Sequence, residues 1–243
     1  MSTLATKVLG GAALIALLLT AWLALFVTPA DVVQADAVRL LYLHVPTAWV
    51  AMYLSFGVTT LASALYLWPR TRSRFWDLTA GASAEIGVVF IALTLIVGSI
   101  WGRATWGVWW TWDARLTTTA VLFVLYVGYL AVRRAPADPE VRSRRAAIVA
   151  LAAFVDVPVV HLSVEWWRTL HQKASLLRPD LSPKIHGSML GTLLLGVLAF
   201  TLLYAWLLVR RFRLAWLEEQ VADRALETAI AERRAEAAVG VAS

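Results

Sequence analysis

The chain contains four histidines, His44, His161, His171 and His186, and thirteen tryptophans, five of which fall between Trp101 and Trp112. Imidazole is the usual nitrogen ligand of haem iron, and six-coordinate iron takes two axial ligands. Indole faces supply the apolar, polarizable surface that a porphyrin plane needs. Guanidinium groups match the carboxylates of such a ring in fork geometry. The candidates for these three chemistries are His44 and His171; Trp106, Trp109, Trp110 and Trp112; and Arg103, Arg115, Arg168 and Arg178. Cysteine is absent, so the chain has no thiolate ligand and cannot hold haem through a thioether of its own.

The densest part of this set reads W-G-R-A-T-W-G-V-W-W-T-W-D-A-R-L-T, from Trp101 to Thr117. It is expected to be a loop at a membrane surface. If it is helical, Trp106, Trp109, Trp110 and Asp113 fall at i, i+3, i+4 and i+7 and form an aromatic shelf on one face. The plainer reading is an interfacial belt, because tryptophan favours the headgroup layer of any membrane protein. A belt usually takes about one or two rings per helix end. His44 stands in Y-L-H-V-P, two residues before Pro46, which places it outside the next helix or in its first turn. His171 closes W-W-R-T-L-H, and a helical segment would put Trp167 one turn from it. His161 lies in an apolar run and reads as a packed polar contact, and His186 reads as a helix-start residue.

The elements that must position these residues are apolar helices. The 243 residues are 60% hydrophobic and 16% charged, the composition of an all-α, polytopic membrane protein. Six stretches are expected to span: 8–27, 47–68, 78–100, 116–132, 146–164 and 187–209. Thr28-Pro29-Ala30-Asp31 has the form of a helix start, and Val33, Ala37, Leu40 and Leu41 have the spacing of a short amphipathic surface helix. Gly187-x-x-x-Gly191 suits close helix packing. Residues 1–209 form the expected membrane domain, and residues 210–243 a charged tail with surface-helix character.

The net charge of +6 is explained by topology rather than by nucleic acid. Fifteen of the twenty-two Lys and Arg lie at the termini and in the loops after the second and fourth stretches. The other loops hold Arg39, Arg103, Arg115, Arg168, Lys173, Arg178 and Lys184. The positive-inside rule then places both termini in the cytoplasm and all four histidines at or near outer helix ends. Asp113 has two readings: an acid at the positive end of a helix, or an acceptor that fixes the tryptophan loop. Arg115 is either a flanking residue of its helix or a propionate partner. Glu85 and Asp156 are intramembrane acids best explained by structural polar contacts.

The tryptophan stretch resembles the WWD signature of the haem-handling membrane proteins of cytochrome c maturation. Two of the three branches that share it typically continue from Trp-Asp into Pro and an acidic residue. Here Trp112-Asp113 continues as Ala114-Arg115-Leu116-Thr117, which resembles the haem exporter protein C (CcmC) branch. Y-L-H-V-P around His44 and S-V-E-W-W-R-T-L-H-Q around His171 resemble the two histidine motifs of that family, and the resemblance covers roughly residues 28–209. It implies that His44 and His171 are axial ligands of a non-covalently held haem b. It also implies that Trp101, Trp106, Trp109, Trp110, Trp112 and Asp113 belong to the haem platform. Trp166, Trp167, Arg115 and Arg168 join the candidate site by location and charge. The implied setting is the bacterial inner membrane. The implied partners are a periplasmic haem chaperone (CcmE), a single-helix subunit (CcmD) and the subunits of an ATP-driven complex (CcmA and CcmB).

Other classes fit less well. A haem–apocytochrome c lyase of the other tryptophan-loop branches is larger. A dihaem electron-transfer subunit places histidine pairs within helices across the bilayer. A small-molecule permease needs charged or broken helices near the midplane, where only Asp156 with Pro158 qualifies. No phosphate-binding P-loop motif occurs, so ATP hydrolysis belongs to another chain.

Overall fold

A computed structural model describes residues 3–173 and 185–242, with side chains up to Arg234. Arg178 and Lys184 lie outside the described residues. Helix α1 runs Leu4–Phe26. A 3-10 turn (Asp36–Leu40), α2 (Leu41–Ala48), a π-helical turn (Trp49–Ser55) and α3 (Phe56–Leu67) follow as one continuous element. Then come α4 (Arg74–Trp106), α5 (Ala114–Arg134), α6 (Pro139–Phe154), α7 (Asp156–Trp166) and α8 (Gly187–Ala242). α6 and α7 are one span broken at Val155, so among the described residues six units are long and apolar enough to cross a membrane. The expectation of an all-α polytopic membrane protein holds.

Several boundaries differ from expectation for local reasons. No helix starts at Thr28: its hydroxyl turns back to the Ala24 carbonyl. The Asp31 carboxylate accepts the Val33 and Gln34 N–H groups at 2.8 Å, an Asx turn that competes with helix initiation. The helical part of this segment is limited to the 3-10 turn. The second span begins there rather than at Thr47, and Pro46 sits inside α2. α8 meets it with Gly196, where an added Cβ would lie 3.3 Å from Pro46 Cγ and 3.5 Å from the Tyr42 carbonyl oxygen. Close packing of this kind lets a span tolerate a proline. The Gly187/Gly191 pair is not a packing site among the described residues, since an added Cβ at either would meet nothing within 4 Å.

The core is built on the same span. Phe56 stacks on Tyr126 of α5 with ring centroids 3.5 Å apart. Ser83 of α4 donates to the Ser55 carbonyl at 2.7 Å and bonds the Tyr204 hydroxyl of α8 at 2.8 Å. Such contacts satisfy polar groups that lipid cannot.

The two ends of the bundle differ. At one end Asp77, 3% exposed, accepts both nitrogens of the Arg133 fork and a bond from Arg74, which also reaches Glu219 of α8. Glu85 is held by both the Nε and Nη2 groups of Arg211, so the expected structural contact is found. Asp156, beside the break at Val155, has one buried carboxylate oxygen without a hydrogen-bond partner among the described residues. α8 continues without interruption past Val209 into the charged segment. The opposite end holds the close of α1, the start of α2, and the loops between α4 and α5 and after α7.

Candidate functional site

The second span carries His44 in the first turn of α2, where its ring lies against α4. Gly98 makes this possible: a Cβ there would fall 2.7 Å from His44 Cε1 and 3.3 Å from Nδ1. The His44 Nδ1 atom is buried near the Thr94 backbone carbonyl but not in hydrogen-bonding geometry. Trp101, one turn above Gly98, meets His44 edge to face at 5.6 Å, and its indole N–H donates to Gln34 Oε1 at 2.8 Å.

The stretch from Trp101 to Thr117 is not one helix. α4 extends through Trp106 and ends at Gly107, whose φ of 77° is the left-handed conformation natural to glycine at a helix C-terminus. Residues 107–113 are then irregular, and α5 begins at Ala114. Trp106, Trp109, Trp110 and Asp113 therefore do not share a helix face. The loop folds back along α4 instead: Ser99 donates to the Trp109 carbonyl, and Arg103 donates to the Gly107 carbonyl. Arg103 is thereby a loop tie. Trp109 and Trp112 are turned outward, 59% and 81% exposed, and Trp110 packs against Trp112 at 5.5 Å.

His171 arrives from the other loop without a helix. α7 stops at Trp166, Trp167 is extended, and these two exposed rings contact each other at 5.7 Å. The expected helical pairing of Trp167 with His171 is not formed. Three other bonds shape the loop: Thr169 Oγ1 donates to the His171 carbonyl at 3.0 Å, Lys173 pairs with Glu165 at 2.5 Å, and the Leu170 N–H donates to Asp113 Oδ2 at 3.2 Å. The other Asp113 oxygen accepts the Leu116 N–H at 2.9 Å and caps α5. Asp113 thus fulfils both of its readings and couples the tryptophan loop to the histidine loop.

The result is a line of four rings from three segments. Trp101 touches His44, the His44 and His171 ring centroids are 6.3 Å apart, and Trp106 touches His171 at 6.1 Å. His171 Nδ1 lies 3.0 Å from the Gln172 carbonyl oxygen. A carbonyl only accepts, so Nδ1 carries the proton and Nε2 keeps its lone pair. Burial, followed by the nearby Arg115 charge, lowers the His171 pKa to about 4, and the bond to Gln172 opposes this only in part. At neutral pH the ring is therefore uncharged, the form that binds metal.

Arg115 points into α7, where it donates to the His161 carbonyl at 2.7 Å and to Ser163 at 3.4 Å. It has no carboxylate partner in hydrogen-bonding contact among the described residues. Arg168 is exposed and pairs with no acid among the described residues. His161 is the packed contact expected of it: Nδ1 meets the Tyr53 hydroxyl at 2.6 Å. His186 is exposed just before α8. Gln34, Gly98 and Thr169 were not foreseen. Of these, Gly98 alone has a sequence signal, a small residue within an apolar span.

Two imidazoles approach each other, but no group of three or more His, Cys, Asp or Glu suited to a metal occurs among the described residues. A bare metal ion wants about three or four protein ligands. Haem iron brings four nitrogens of its own and needs only the axial pair. Two metal–nitrogen bonds of about 2 Å plus the two ring radii span about 6 Å, close to the separation of His44 and His171.

These features define a six-span helical membrane protein with a tryptophan-lined, two-imidazole site at one rim of the bundle. Comparison with known sequences supplies the family. The family model "Heme exporter protein C" (CcmC) matches residues 1–227. The chain is 40% identical over 208 residues to a "Heme exporter protein C" of Bradyrhizobium diazoefficiens, spanning 85% of this chain and 76% of that one. The protein of that name in Haemophilus influenzae is 39% identical over 191 residues, 79% and 76% of the two chains. That of Escherichia coli K12 is 38% identical over 185 residues, 76% and 73%. The chain belongs to the heme exporter protein C family.

Proposed function

We propose that this protein binds one haem b non-covalently at the outer rim of its bundle and passes it on during cytochrome c maturation. His44 and His171 supply the axial nitrogens. The observation that carries this reading is their pairing at 6.3 Å, one from the head of α2 and one from the loop after α7, with no third metal ligand grouped with them among the described residues. His171 Nδ1 bonds the Gln172 carbonyl, the arrangement that orients an axial imidazole and leaves Nε2 for iron, while His44 is set in place by its packing against Gly98 and Trp101. Trp101 and Trp106 flank the imidazoles, while Trp109, Trp110, Trp112, Trp166 and Trp167 offer aromatic faces to the ring and to a docking partner. Arg115 and Arg168 are the propionate partners, and Asp113 holds the two loops together.

The positive-inside rule orients the site toward the periplasm of a bacterial inner membrane, with both termini and the tail from Arg210 onward in the cytoplasm. Residues 1–209 are then the haem-handling membrane domain. The protein makes no bond to carbon: it is a transfer platform that presents haem to CcmE, alongside CcmD and the CcmA and CcmB subunits. The test is haem content and visible spectrum of four single His→Ala variants. His44→Ala and His171→Ala should each lower haem content and shift the spectrum, while His186→Ala changes neither. Native spectra from both His44→Ala and His171→Ala would overturn the assignment.

A further inference from the structure

A second feature lies at the other end of the bundle, far from the histidines. α1 and α8 run side by side, and between them is a cavity of about 420 Å³ with an apolar floor that includes Leu14, Leu17, Leu203 and Trp206. This volume falls in the range of about 300–1,000 Å³ typical of small-ligand sites. Gly10 leaves the room for Trp206: an added Cβ would fall 2.6 Å from the indole nitrogen. Toward the chain termini a second cavity, of about 740 Å³, is lined by Phe212, Arg213 and Trp216 and shares Thr6 and Arg210 with the first.

The rim is cationic, and no acid lines either cavity among the described residues. Arg210 lies over the Trp206 ring at 5.1 Å and has no carboxylate partner among the described residues. Lys7 is exposed on the facing turn of α1 and is also without an acidic partner among the described residues. Arg213 donates to the Thr6 and Thr3 hydroxyls at 2.8 and 3.4 Å, again with no carboxylate. Arg74, Arg133 and Arg211 differ, because Asp77, Glu85 and Glu219 neutralise them. An apolar slot that opens at headgroup level onto three uncompensated cations fits an acyl chain carrying an anionic phosphate.

We propose that the α1–α8 groove is a binding site for one anionic phospholipid, with an acyl chain against Trp206 and the phosphate among Lys7, Arg210 and Arg213. The lipid joins the first and last spans beside the approach of Trp206 to Gly10 and the bonds of Arg213 to Thr6 and Thr3. The proposal stands independently of the haem reading.

The test is native mass spectrometry of the full-length protein in detergent micelles, titrated with dioleoyl phosphatidylglycerol or dioleoyl phosphatidylcholine. The intact protein should retain phosphatidylglycerol in preference to phosphatidylcholine. Removing one charge near the membrane surface costs about fivefold, so Lys7→Gln with Arg210→Gln should weaken phosphatidylglycerol binding about 25-fold. Arg210→Gln alone should give about fivefold, and Arg210→Lys should bind nearly as the parent. Arg144→Gln, on an exposed turn of α6, should have no effect. Free glycerol 3-phosphate should not displace the lipid. Equal retention of both lipids, an unchanged affinity in the double variant, displacement by glycerol 3-phosphate, or recovery of haem or a peptide helix in the groove would each overturn the proposal.

Discussion

Replacing Asp113 tests whether the tryptophan and histidine loops act as one unit. Alanine removes two hydrogen bonds: the cap to Leu116 N–H at 2.9 Å and the cross-loop bond to Leu170 N–H at 3.2 Å. Loss of an N-cap costs about 1 kcal/mol. An exposed single hydrogen bond contributes about 0.5–1 kcal/mol. Both bonds restrict the position of His171 relative to the tryptophan loop, so their loss enlarges the set of conformations in which the imidazole is misplaced. At a factor of ten per 1.4 kcal/mol, Asp113→Ala should raise the haem Kd by about ten- to thirtyfold. Asp113→Asn separates the two contributions. Its carbonyl oxygen keeps the cap, but its NH2 group would face the Leu170 N–H donor to donor. A loss of about two- to fivefold is expected for this variant. The assay is a haem titration of the purified protein followed by visible absorbance, with circular dichroism to confirm helix content. Parental affinity in both variants would show that Asp113 does not hold the two loops as one unit. An affinity lost in Ala but retained in Asn would assign the effect to the cap alone.

Gly98→Ala should lower haem content severalfold while leaving the helix intact, because the new methyl meets His44 Cε1 at 2.7 Å whereas alanine favours helix by about 1 kcal/mol over glycine. Haem content equal to the parent would show that His44 does not need its present place against α4. Trp109→Ala with Trp110→Ala should weaken haem retention or partner docking without impairing insertion, since both rings lie in the irregular loop and not in a span. Normal retention and hand-over would reduce these tryptophans to an interfacial belt. Reporter fusions at Arg72, Arg142 and the C-terminus should read cytoplasmic, and those at Arg103 and Lys173 external, and an external signal at Arg142 would reverse the placement of the site.

The spans were legible because lipid demands long apolar runs, and the histidine and tryptophan motifs stood out at their ends. The path of the chain between spans was less legible. Asp31 looked like a first-turn acid, but its carboxylate was closer to satisfying the N–H groups of Val33 and Gln34 in a turn. Pro46 looked like a boundary because the accommodation it needs comes from Gly196, about 150 residues away, and proline tolerance depends on such neighbours. The aromatic shelf depended on a helix through residues 106–113, and Gly107 in the left-handed conformation ends that helix at its first residue. The convergence of His44 and His171 survived these errors because it rests on which span end each residue occupies. The residues that hold the pair in place are another matter. Gln34 on Trp101 and Thr169 on the His171 carbonyl are single polar groups in loops, with no periodicity to mark them.

Imidazole rescue of the axial positions shows whether one haem iron is held between His44 and His171. Haem-loaded parent protein should be six-coordinate and low-spin by electron paramagnetic resonance, as two nitrogen axial ligands require. His44→Gly and His171→Gly should each lose that signal, and millimolar imidazole should restore it by supplying the missing nitrogen in the vacated space. His161→Gly, which disturbs only the contact with Tyr53, should keep the low-spin signal without imidazole. A low-spin signal that persists in both His44→Gly and His171→Gly without added imidazole would show that these two histidines are not the axial ligands.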